Sequence, residues 1–73
     1  MRLCDLKVGE TACVTAVRSS GAMALRLREL GFLEGARVQC VGVSPLRDPH
    51  AYRICGAVIA LRSADAAAVE VTA

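Results

Sequence analysis

The chain has 73 residues, 55% of them hydrophobic, with one phenylalanine, one tyrosine, no tryptophan and a formal net charge of +2. That length carries a single domain with a small core, since a domain of this size buries only about 60% of its unfolded surface. Lysines and arginines are dispersed, which excludes the clustered basic face of a nucleic-acid binder, and no run approaches the roughly 18 apolar residues that span a bilayer as a helix.

The opening residues, MRLCDLKVGE, place charge at Arg2, Asp5, Lys7 and Glu10 and lack the apolar stretch of a secretory signal, so the chain is expected to be cytoplasmic. TACVTAV (11–17), β-branched and preceded by Gly9, predicts a first strand. Only residues 22–30 show helical period: Met23, Leu27 and Leu30 share one face, Ser20 stands where a cap is needed, and Gly31 closes the end in a left-handed conformation.

Gly35 shapes the turn into ARVQCVGV (36–43), a strand whose alternation is interrupted by Gly42, as at a bulge or bend. SPLRDP (44–49) reads as a wide loop, with Asp48 and His50 expected to be solvated. AYRIC (51–55) and AVIALR (57–62) form a hairpin through Gly56, and VEV (69–71) makes a last strand entered by a turn at which Ser63 caps free N–H groups. About five short strands with one helix between the first and second predict a mainly β, curled antiparallel sheet, a small barrel that hides its edges.

Catalysis finds little support, because His50 is the only histidine and no nucleophile elbow or phosphate-binding loop occurs. Cys4, Cys13, Cys40 and Cys55 form no C-x-x-C pair and read as free, mostly buried thiols; no cofactor is expected. A metal-binding carrier or sensor using Cys40, Cys55 and His50 is the competing reading, provided their strands bring them together.

One residue breaks its own pattern: Leu25 falls almost opposite the Met23, Leu27 and Leu30 face, beside Arg28 and Glu29. With Phe32 and Leu33 it would form an apolar corner, which reads either as a partner surface or as packing beneath a neighbouring loop.

LRLRELGFLEGARVQCVGVSPLRDP (25–49) resembles the FeoA family, whose members carry a pattern close to RL-x-x-LG-x-x-PG-x-x-(V/F)-x-V followed by a P-L-G-D-P loop. GAVIALRSADAAAVEV (56–71) is similar to the family's closing strand, short turn and final strand, so the resemblance covers nearly the whole chain. It implies an SH3-like barrel and a cytosolic accessory protein that binds the cytoplasmic GTP-binding region of FeoB, a membrane importer of ferrous iron. Arg26, Leu27, Leu30 and Gly31 match the family's helix end, Gly35 its turn, and Pro45, Leu46, Asp48 and Pro49 its loop.

Glu34 stands where the family often has proline and Arg47 where it often has glycine. The candidate partner-binding residues are therefore Leu25, Leu30, Phe32, Leu33, Glu34 and Arg47. The two aromatics are too few for a proline-peptide groove. The same barrel occurs as a C-terminal domain of iron-dependent repressors, but with no helix-turn-helix here a nucleic-acid partner is not expected. Self-association through the same corner is a further alternative.

Overall fold

The computed structural model describes residues 1–73. After a 3-10 turn at Leu3–Asp5, the elements run β1 (Thr11–Val17), α1 (Gly21–Glu29), β2 (Arg37–Val43), β3 (His50–Ile54), β4 (Ala57–Leu61), α2 (Ser63–Ala66) and β5 (Val69–Thr72). The strands make one antiparallel sheet in the order β4-β3-β2-β1-β5. The expected five strands and the helix between the first two are present.

β1 turns the sheet back on itself. Thr11, Ala12 and Cys13 pair with Gln39, Val38 and Arg37 of β2, while Cys13 to Val17 pair with β5 across a register shift between Val14 and Ala16. Period-2 alternation sends Ala12 and Val14 inward from β1, Val38 and Cys40 from β2, and Tyr52 and Ile54 from β3, all nearly inaccessible to solvent. The bulge expected at Gly42 is present as a register shift between Cys40 and Gly42. Leu3 and Leu6 of the N-terminal segment, Leu27 of α1 and Ala66 of α2 complete the core.

α1 ends on a motif that accounts for Phe32. Gly31 has φ +108°, its N–H reaches the Arg28 carbonyl at 2.9 Å, and the Phe32 N–H reaches the Leu27 carbonyl at 3.0 Å. This is a Schellman cap, whose second bond brings the residue after the glycine back onto the helix's last turn. Phe32 and Leu27 are both fully buried in the common core. Ser20 occupies the N-cap but makes no side-chain cap bond.

Two polar expectations, for His50 and for Ser63, are corrected, while Asp48 is exposed as expected. His50 is 8% exposed rather than solvated, and Asp48, though at the surface, accepts the Ser63 N–H at 2.9 Å. The first N–H of α2 is thus satisfied by a carboxylate from the 44–49 loop, and Ser63 does not cap the helix: Arg62 is its N-cap. The physical reason is tertiary. The loop folds over the start of α2, and Ser63 turns its hydroxyl to the Arg47 carbonyl at 3.4 Å.

Candidate partner surface

Leu25 is 61% and Leu33 53% exposed. Leu25 projects from the outer side of α1 because the core takes Leu27, with Met23 and Leu30 packed half-buried against it. Leu33 and Glu34 stand outside because the turn closed by the Ala36 N–H to Leu33 carbonyl bond, 2.9 Å, pushes their side chains into solvent.

The six candidates do not make one surface. Phe32 is 0% exposed and forms part of the core, which corrects its place in the corner: the Schellman geometry turns it inward. Leu30 lies in a cleft of about 360 Å³ between α1 and β4, with Leu27, Ala60 and Leu61. Leu33 and Glu34 flank a separate hollow with Ala16, Val17 and Arg28. Arg47 lines neither; it stands on a third cleft, lined by the N-terminal segment from Cys4 to Val8.

The Arg47 loop is held by polar bonds. Arg47 adopts φ +64°, the left-handed conformation in which a glycine is at ease and an L residue is strained by about 1–2 kcal/mol. Its N–H meets the Ser44 carbonyl at 2.7 Å, and the Ser44 N–H meets the Pro49 carbonyl at 3.1 Å. His50 Nε2 lies 2.7 Å from the Arg47 carbonyl, which has no proton to give, so Nε2 donates. In the neutral ring Nδ1 then accepts from the Tyr52 hydroxyl, 3.2 Å away, whose single proton is shared with the Leu3 carbonyl at 3.4 Å. Burial, first of all, holds the Tyr52 phenol well above its usual range.

This geometry dissolves the metal constellation. His50 and Cys55 stand at opposite ends of the third strand and its turn, five residues apart, roughly 17 Å at the usual rise per residue. Cys40 is fully buried, both His50 nitrogens are engaged, and no group of three His, Cys, Asp or Glu side chains converges anywhere. Cys55 corrects the expectation of burial: it is exposed, sitting with φ +51° beside Gly56 at φ +79° in the two-residue turn of the β3–β4 hairpin, the positive-φ pair of a type I′ turn.

Leu46, matched to the family's loop but left out of the partner-binding candidates, is at 87% the most exposed large apolar side chain. The signal was present, since a leucine between proline and arginine in a wide loop has no strand partner to cover it. No helix is long and apolar enough to cross a membrane.

A family model described as the FeoA domain matches residues 1–73. The Fe(2+) transport protein A/Fe(2+) transporter FeoB fusion protein of Porphyromonas gingivalis is 41% identical over 71 residues, covering 97% of this chain; the chain spans only 8% of that protein's length. Among solved structures, the FeoA protein of Chlorobium tepidum superposes with a TM-score of 0.91 at 34% identity, over 97% of this chain and 68% of that one. FeoA of Stenotrophomonas maltophilia, a procaryotic SH3 domain protein crystallised with zinc, superposes with a TM-score of 0.88 at 34% identity, over 99% of this chain and 89% of that one. The curled five-stranded sheet is therefore SH3-like.

Proposed function

The chain belongs to the FeoA domain family, and from that premise we propose that it is a non-enzymatic, cytoplasmic accessory of ferrous iron uptake that docks on the cytoplasmic GTP-binding region of a FeoB-like transporter. The observation that carries this reading is the Porphyromonas gingivalis fusion, in which a FeoA-like segment and FeoB share one polypeptide. Covalent linkage holds two modules at high effective concentration, an arrangement that favours partners that work in contact.

On this chain the contact is made by Leu25 and Leu33, the exposed apolar side chains on α1 and the turn after it. Burying one such leucine against a partner gains about 1.5–3 kcal/mol, and the charges of Arg28, Glu29 and Glu34 around them form a polar rim. A non-enzymatic role accords with His50, whose ring nitrogens are both occupied in holding a loop rather than aimed at a substrate.

A pull-down of the tagged full chain from native membranes tests the reading. Recovery of a polytopic GTP-binding protein supports it. Recovery of other proteins without the transporter, or nothing above the untagged control, rejects it.

A further inference from the structure

The outward face of the β1–β2–β3 region carries a groove of about 350 Å³ whose lining includes Thr11, Arg37, Gln39, Arg53 and the Cys55–Gly56 turn. We propose that this groove binds an extended acidic peptide segment of a partner protein through Arg37 and Arg53. The proposal stands apart from the transporter reading, since it uses neither Leu25 nor Leu33.

Charge complementarity is the first argument. Both arginines are exposed, no acidic residue lines the groove, and the molecule's one ion pair, Arg18–Glu70, lies elsewhere. Two guanidinium groups thus face solvent with no carboxylate to offset them, and a guanidinium is suited to grip a carboxylate through two parallel hydrogen bonds.

Register is the second. Gln39 pairs directly with Arg53, and Arg37 lies two residues before Gln39 on the same face. Arg37 and Arg53 are therefore diagonal neighbours, with roots about 7–8 Å apart. Side chains on one face of an extended peptide repeat about every 6.8 Å, so acidic residues at alternate positions would meet the two arginines in turn. Gln39 donates its amide N–H to the Gly9 carbonyl at 3.3 Å, which leaves its oxygen free to accept a peptide N–H.

Nucleic acid fits less well. The only Phe and Tyr are buried, so no base can stack on the groove, and two cations are few for a phosphate backbone.

The test is fluorescence anisotropy of the full chain with labelled (Gly-Glu)4, against (Gly-Gln)4 as the neutral control. At about 50 mM salt the acidic peptide should bind at least about tenfold more tightly than the control, weakening several-fold by about 300 mM as screening grows. Arg37→Gln and Arg53→Gln should each weaken binding about tenfold while Arg62→Gln stays within about twofold, all three keeping the parent circular dichroism and Tm. Equal binding of the two peptides, or arginine variants that bind like the parent, would overturn the proposal. So would tighter binding of a single-stranded hexanucleotide or of phosphatidylglycerol vesicles, lost in the same variants, which would make the groove a phosphate site. None of these outcomes bears on transporter recovery through Leu25 and Leu33.

Discussion

Two connections of this molecule, the turn from α1 to β2 and the loop from β2 to β3, are of similar length and differ in what gives them their shape. The first takes its shape from a local backbone motif: the Schellman cap at Gly31 directs Phe32 into the core and leaves Leu33 outside, before Gly35 and Ala36 bond to Val14 of β1. The second, beyond its local bonds among Ser44, Arg47, Pro49 and His50, is pinned from a distance by Asp48 accepting from the Ser63 N–H and the Ser63 hydroxyl donating to Arg47. A connection of the first kind can be read from a short window of sequence, whereas one of the second kind depends on residues that only the folded sheet brings near.

Substitutions should separate the two. Phe32→Ala should cost most, about 3–5 kcal/mol in chemical unfolding, because it empties the centre of the core; a loss below 1 kcal/mol would mean Phe32 is not the buried anchor of the cap. Gly31→Ala comes next at about 1–3 kcal/mol: it forces a side chain into φ +108°, with its Cβ 2.8 Å from the Cys55 Sγ. Gly31→Ala in a Cys55→Ala background should recover part of that loss, and no recovery would show that backbone strain alone is responsible.

On the other connection, His50→Ala should cost about 1–3 kcal/mol by removing the shorter bond to the Arg47 carbonyl and the shorter bond to the Tyr52 hydroxyl, which leaves each with only a 3.4 Å contact, to Ser63 and to Leu3. Amide exchange should quicken around 44–49 while leaving 30–36 at the parent rate. Equal quickening in both would contradict their independence. Arg47→Gly carries the opposite sign, a gain of up to about 1 kcal/mol from relief at φ +64°.

The smallest effect is one of pH. Because burial raises the Tyr52 phenol, the folded state holds its proton where the unfolded chain would lose it. The contribution of Tyr52 is therefore complete below roughly pH 10 and declines as pH rises further. Tyr52→Phe should flatten that alkaline decline, as measured by Tm between pH 8 and pH 11.

The sequence made the five strands, the helix between the first two, the Gly42 irregularity and the Gly31 stop legible, because each rests on local period or on glycine's conformational freedom. Phe32 was misplaced although its signal was present: an apolar residue directly after a capping glycine, five beyond an inward Leu27, marks the Schellman contact. His50 and Asp48 were beyond reach, since nothing near them in sequence announces that Ser63, 15 residues from Asp48, will meet the loop. The pairing of Arg37 with Arg53 on one face likewise needs the register of β2 on β3. Leu25 was readable from helical angle alone.

The exposed leucines of α1 and its following turn are the surface proposed to dock on the transporter. Calorimetric titration of the purified cytoplasmic region of a FeoB-like transporter with the full chain tests this docking most directly, comparing the parent with Leu25→Asp and Leu33→Asp after matching their Tm values. The parent should bind saturably and each variant at least about tenfold more weakly, the worth of one buried leucine. Parent-like binding by both folded variants, or no binding by the parent, would contradict it.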